Sequence, residues 1–365
     1  MAVGDYEAIF VGGGLAAMLL LREIGPGLSG RVAVIDPCPP SERPTIHWSY
    51  WGHVPTLYDR FAVGSWRMAR VAQMPAESVA PYTLRLVRST DVFAQIAEEL
   101  STVSLEWLRT SAHSVERRED GTYGVITDAG AVRAGWVFDS VPDIEPAFPS
   151  PRRPRAVLSG TGVRVTVDRP VFDAAAATLF DPLDERSFAY LLPLSPDEAL
   201  LESATFDSAI QKKDETPLLR YLRSRYPGAT FAVTHAEHGH IPLGFAPSQT
   251  AGPRHVLLGT KRGLVKPSAG YGVVRMALES RRLAGLWKQG RPLPPSQRSS
   301  LWWQLLDLGF LQLAANDSRR PLALLRNVMH AVPLVQSLRF IDEELPPRQL
   351  AAVFGAALPA VLGRV

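Results

Sequence analysis

The chain has 365 residues, 46% hydrophobic and 21% charged, a balance that excludes a disordered polymer and implies a large packed core in two or three lobes. Its net charge of +3 is uneven: residues 275–365 hold twelve Lys and Arg against six Asp and Glu, whereas residues 1–274 sum to −3. Without dense basic runs a nucleic-acid partner is disfavoured, and a single cysteine, Cys38, excludes disulfides within the chain and thiolate metal clusters and fits a reducing cytoplasm.

Asp5 and Glu7 interrupt the apolar opening and no basic leader precedes it, so it reads as a strand and not a signal peptide. That strand runs through Val11 into Gly12, Gly13, Gly14 and an apolar helix, and a second strand, Val32 to Ile35, ends at Asp36. This is a dinucleotide fingerprint in its proper context. Gly12 permits the tight turn, Gly14 lets the backbone approach a pyrophosphate, and Ala17 keeps helix close to strand. Asp36 stands where a carboxylate accepts hydrogen bonds from an adenosine ribose.

A proline-rich exit, 37–44, leads to Trp48, Ser49, Tyr50 and Trp51, aromatics that either line a ligand cavity or cover a domain seam. A short strand is expected at 84–87, a helix at 91–100 from the spacing of Val92, Ile96 and Leu100, and strands at 105–108, 123–126 and 131–138, the last ending at Asp139. Five prolines between Pro142 and Pro154 mark a crossing into a second lobe. That lobe alternates as strands do: Val163, Val165 and Val167, then 188–192 and 199–202.

A strand at 255–258 delivers a second glycine-rich turn, Gly259 to Tyr271, whose late position suggests a cofactor larger than a nucleotide. A helix is expected from Ser268 through Leu283, with Pro267 just before its start. Beyond the break at 292–295, Trp302, Leu305, Leu306, Phe310 and Leu313 share a helical face, read as core packing ahead of membrane contact. No run reaches about 18 apolar residues, so no spanning helix is expected.

Taken together these residues resemble the lycopene cyclase family, flavoproteins that close the ends of linear carotenoids. The likeness is distributed: the turn Val11 to Ala16, Trp48 to Tyr50, Val137 to Asp139, Pro170 to Asp173, Leu179 to Asp181, Tyr190 to Leu194 with Leu200 to Glu202, Ile241-Pro242, Gly263 to Tyr271, and Arg339-Phe340. The resemblance implies an α/β flavoprotein with a Rossmann-like FAD-binding domain of the aromatic-hydroxylase type, a β-sheet substrate domain and C-terminal helices. The corresponding ranges are 1–60, 105–145 and 250–290 for the first, 61–104 and 146–249 for the second, and 291–365 for the third.

It further implies that FAD is held by Gly12, Gly13, Gly14, Ala17, Asp36, Gly259, Gly263, Pro267, Ser268, Ala269, Gly270 and Tyr271, with NADPH or another reductant to reduce it. A helix beginning near Ser268 would turn its positive end to an anionic reduced flavin. Trp48, Tyr50 and Trp51 would contact a hydrophobic polyene, and the protein would be cytoplasmic, at the periphery of a membrane. No residue is read as a metal ligand.

The family's acid motif ends a strand with two acidic residues and a threonine; here Glu202 is followed by Ser203 and Ala204, with Thr205 one position late. Glu202 is the expected acid/base, and a carboxyl must be protonated to start a cation cyclisation. Without the resemblance it reads as a solvated charge at a strand end. His47 likewise precedes Trp48 where the family has a threonine preceded by its own histidine. A cyclase of another terpenoid or polyene and a flavin monooxygenase are the alternatives. Thr260 disfavours the latter, because aromatic hydroxylases commonly place a ribityl-binding Asp after the glycine. Gly239 to Pro242 is only a fragment of the halogenase Trp-x-Trp-x-Ile-Pro segment.

Overall fold

The computed structural model describes residues 6–141, 156–244, 250–294 and 300–361; the proline-rich crossing at 142–154 and Pro295 lie outside them. The chain lays down β1 (Tyr6–Val11), α1 (Leu15–Ile24), β2 (Val32–Ile35), β3 (His47–Gly52), β4 (Ala62–Trp66), β5 (Met68–Val71), β6 (Glu77–Ser78) and β7 (Thr83–Arg88). After α2 (Ser89–Glu99) come β8 (Leu105–Leu108), β9 (Ala112–Arg117), β10 (Tyr123–Thr127) and β11 (Gly130–Asp139). Then follow β12 (Ala156–Val167), β13 (Ala176–Pro182), β14 (Ser187–Ser195), β15 (Glu198–Asp207), α3 (Thr216–Arg225), β16 (Phe231–Leu243) and β17 (His255–Leu257). Five helices close the chain: α4 (Val273–Lys288), α5 (Leu301–Asn316), α6 (Arg319–Ala331), α7 (Leu334–Ile341) and α8 (Pro347–Val361).

The first sheet has the order β8-β2-β1-β11-β10-β9, with β17 also paired to β11. Its β8, β2, β1, β11 and β17 run parallel. Parallel pairing demands crossovers and buries both sheet faces, which is why β2 is apolar at every position and wholly buried. α1 covers one face, packing Leu20, Leu21 and Ile24 with Val92, Ile96 and Leu100 from the α2 segment. The range 61–104 thus contributes α2 to the core beside α1, while β5 and β6 join the second sheet.

The second sheet runs β16-β12-β15-β14-β13-β5-β6, and most of it is antiparallel. Alternation divides its residues cleanly. Val163, Val165, Leu191 and Leu201 meet Leu218 and Leu222 of α3 on one face. On the other, Phe188, Leu192, Leu200 and Phe206 belong to the cluster that takes in Phe310 and Leu311 of α5, Leu322 of α6 and Leu334 of α7. A third, three-stranded sheet, β3-β7-β4, stands beside this second face.

Two expectations change. The helix expected from Ser268 begins at Val273, because Gly270 adopts φ +74° and the preceding residues form a turn in which the Gly270 amide donates to the Lys266 carbonyl at 2.8 Å. Pro267 is therefore not a helix-opening residue. In α5 the buried face is Asp307, Phe310, Leu311 and Ala314, whereas Trp302 and Leu305 are 47% and 61% exposed. The core stripe is displaced because Asp307 turns inward to pair with buried Lys266.

Candidate active site

The first glycine turn is built as a cradle. Gly12 has φ +85°, and a Cβ there would lie 2.5 Å from Ser140 Oγ. Gly14 begins α1 without a side-chain cap, and space around its Cα is open. The free amides of that helix start are donors for an anion. Ala17 is fully buried, which keeps the helix on the sheet. Asp36 accepts from the Gly13 amide at 2.8 Å and the Cys38 amide at 2.9 Å, and Arg43 approaches it to 2.7 Å while also donating to the Gly13 carbonyl at 3.0 Å. A carboxylate has about four lone-pair sites, so Asp36 retains capacity for a ribose hydroxyl. Arg43, not singled out from the sequence, adds a cation beside the turn.

The second turn reaches the first. Gly259 has φ +55°, and a Cβ on it would stand 3.1 Å from that of Ala16 in α1. Gly263, at φ +84°, ends the short 3-10 turn Gly259–Arg262. Downstream, Ala269, Gly270 and Tyr271 line a cavity of about 330 Å³, whereas Pro267 is buried and Ser268 bonds Asp307. At Gly270 a Cβ would be 2.3 Å from Leu158 Cδ2, so only glycine lets this backbone form the cavity wall.

The cavity floor is the second sheet. Register places Tyr190, Glu202, Gly162 and Glu237 in one row across β14, β15, β12 and β16. The adjacent row on that face is Phe188, Ala204, Gly160 and Gly239, small residues that open the space above it. β3 lies opposite: Ser49 donates to Glu202 Oε2 at 2.9 Å, and His47 Nδ1 is 2.8 Å from Glu237 Oε2. The Tyr271 hydroxyl donates to that of Tyr190 at 3.0 Å, and Trp51 packs on Tyr271 with ring centroids 4.1 Å apart.

Burial raises the Glu202 carboxyl from its ordinary 4.5 to about 7; the nearby Glu237 carboxylate adds to the rise, and the Ser49 hydroxyl opposes it. A sizeable fraction of this group is therefore protonated near neutral pH, facing a cavity walled by Phe188, Tyr190 and Tyr271. Burial likewise pushes the Tyr190 and Tyr271 hydroxyls upward, so both remain neutral donors.

Of the aromatic residues read at 48–51, Trp48 lines the cavity. Trp51 supports Tyr271 from behind, and Tyr50 is buried on the other side of β3, bonding Asp59 at 3.0 Å and packing on Tyr58. Sequence reasoning missed Glu237, His235, Tyr190 and the glycines of β12. A signal was present in β16, where His235, Glu237 and Gly239 alternate onto one face of the strand. His47, His235 and Glu237 also have one nitrogen or oxygen each within 4.8 Å of one another, with hydrogen bonds of 2.8 and 3.2 Å closing the trio onto Glu237 Oε2.

The profile of the family described as "Lycopene cyclase protein" matches residues 7–312. Solved structures share the fold at low identity. A geranylgeranyl bacteriochlorophyll reductase-like protein from Thermoplasma acidophilum is 14% identical, with TM-score 0.56 and coverage of 99% of this chain and 98% of that one. The flavin-dependent brominase Bmp2 is 16% identical, with TM-score 0.58 and coverage of 97% and 94%. A variant of the halogenase PltM in complex with FAD is 14% identical, with TM-score 0.53 and coverage of 93% and 82%. These likenesses establish a Rossmann-like flavoprotein fold. No curated protein matches the chain.

Proposed function

Because the chain belongs to the lycopene cyclase family, we propose that it is an isomerase that closes the end of a linear polyene isoprenoid, lycopene or a relative, by proton-initiated cation cyclisation. The observation that carries this reading is Glu202, a carboxyl raised to about 7 in an aromatic-walled cavity beside the second glycine turn. Its proton adds to the terminal trisubstituted alkene to give a tertiary cation, a neighbouring alkene captures that cation to form the ring, and loss of a proton completes an isomer of unchanged mass. Aromatic faces of Phe188, Tyr190 and Tyr271 attract the developing positive charge.

The open cradle at Gly14 and the glycine backbone at 259 and 270 fit FAD, with Asp36 and Arg43 on its adenosine side. When bound and reduced by NADPH or another donor, FAD would supply negative charge that favours a cation without net electron transfer. The lipid substrate is proposed to arrive from a membrane surface on the cytoplasmic side. Leu301, Trp302, Leu305, Leu358 and Val361 are exposed on α5 and α8, on the basic C-terminal segment, and Trp302 packs edge-on to Phe354 across those two helices. Among the described residues no helix is long and apolar enough to cross a membrane.

Anaerobic incubation of the protein with FAD, NADPH and lycopene in liposomes tests the reading, with an isomeric cyclic product expected. A product that forms only with oxygen, or that contains it, overturns it in favour of a monooxygenase. Turnover of another polyene in place of lycopene shifts the substrate within the same chemistry.

A further inference from the structure

β3 carries His47 and Ser49 two residues apart, hence on one face of the strand, and each meets a carboxylate of the facing sheet. The two carboxylates, Glu202 and Glu237, flank Gly162 in register, one on each neighbouring strand. A side chain at Gly162 would intrude here, because its Cβ would lie 2.7 Å from Glu237 Cγ. β3 thus presents two polar groups to two acids across a gap that glycine keeps open.

The partners of the two acids differ. Among the described residues Glu202 has one donor, a hydroxyl. Three N–H groups converge on Glu237: the His47 amide at 3.1 and 3.2 Å to its two oxygens, His47 Nδ1 at 2.8 Å and His235 Nε2 at 3.2 Å. Carboxylate oxygens accept, so a neutral His47 imidazole facing Glu237 carries its hydrogen on Nδ1 and keeps the Nε2 lone pair. Among the described residues that Nε2 has no hydrogen-bond partner; it is buried, on a side chain that is 3% exposed and lines the cavity with Glu202. A buried, unpaired acceptor of this kind is costly unless a ligand uses it.

We propose that His47 Nε2 is the general base of ring closure and that Glu237 orients it. This assignment rests on the cyclase reading above. Glu202 gives its proton to the terminal alkene carbon, whose π pair forms the new C–H bond and leaves a tertiary cation. The neighbouring alkene's π pair forms the ring C–C bond and moves the cation onto the ring. The His47 Nε2 lone pair then takes a hydrogen next to that centre as H⁺, and the C–H pair becomes the ring double bond. Product has the atoms of substrate; the enzyme is left with the Glu202 carboxylate and the His47 imidazolium, and water entering the emptied cavity returns the proton. Ser203 takes no part, since it faces the other side of β15 and bonds the Thr161 carbonyl at 3.3 Å.

His47→Asn separates base from scaffold, because the Asn amide retains a donor for Glu237 and lacks a nitrogen at the ε position. Turnover is expected to fall by about 10²–10⁴-fold with flavin still bound, and substrate recovered from D₂O is expected to carry deuterium at the protonated carbon because the acid step still runs. Free imidazole should partly rescue His47→Ala. Nitrogen-15 NMR of histidine-labelled holoprotein should show His47 protonated at Nδ1 alone, and Glu237→Gln should mix the tautomers; neither signal requires substrate. Full activity in His47→Asn, a hydrogen on Nε2, or a stoichiometric metal ion whose chelation stops turnover overturns the assignment. Wild type that closes no ring sinks the cyclase reading and the base with it, whereas ring-closing wild type beside an unimpaired His47→Asn sinks the base alone.

Discussion

Two buried polar clusters flank the second glycine turn, and they are built on opposite rules. Lys266, 1% exposed, is matched by Asp307 at 2.9 Å and Glu343 at 3.0 Å, with Trp303 5.1 Å from its ammonium and Arg275 3.3 Å from Glu343. Each charge there has an opposite. In the cavity, Glu202 has a hydroxyl and a like-charged neighbour, and His47 leaves a nitrogen unpaired. Balanced burial fastens α5 to the turn; unbalanced burial stores a proton on one side and an unshared lone pair on the other. The contrast separates structural charge from chemical charge better than burial does, since both clusters are buried.

Substitutions should split along that line. Glu202→Gln keeps the shape and removes the proton, so we expect cyclisation to fall by about 10³-fold or more, with flavin bound and unfolding unchanged or slightly delayed. HPLC of polyene products and denaturant unfolding check both halves. Lys266→Met should do the reverse, costing about 3–5 kcal/mol because Asp307 and Glu343 lose their shared cation. Burial already raises the Asp307 carboxyl against the pull of Lys266, so this variant should regain stability as pH falls and Asp307 takes up a proton. Equal losses of stability in the two variants would dissolve the distinction.

The balanced cluster also explains what the sequence concealed. The first turn was legible because its parts are local: strand, three glycines, helix and Asp36 lie within about 30 residues, the span of a βαβ unit. Strands expected at 105–108 and 123–126 are found at Leu105–Leu108 and Tyr123–Thr127, legible because short β-prone runs are a local property as well. The α4 start was not, because a helix-like run from Ser268 is overridden by the φ of Gly270 and by Lys266 reaching away to α5. The core face of α5 was misplaced for the same reason: an inward Asp307 reads as polar until its partner 41 residues earlier is known. Glu202 was found by resemblance; the alternation in β16 marks Glu237 as facing one side, but its place beside Glu202 depends on the long-range register of β16 against β12.

Gly162→Ala tests whether spacing within the unbalanced cluster matters. Its methyl would displace Glu237, so we expect a loss of turnover of up to about 10²-fold, the order for mispositioned rather than missing groups. Stability should change little, and His47 should show mixed tautomers.

The smallest expected effect is a shift in pH dependence, and its sign is informative. Glu202 acts as an acid with its carboxyl near 7, so activity should fall as pH rises through that value. Glu237→Gln removes the negative neighbour that favours the protonated form, so the falling limb should move to lower pH. Ser49→Ala removes the hydrogen bond that favours the ionised form, and the limb should move to higher pH. Difference infrared titration of the Glu202 carboxyl, read without turnover, should move the same way in each variant. Lys266→Met, aimed at the balanced cluster, should leave that titration in place; a comparable shift there would mean that the two clusters are one electrostatic unit.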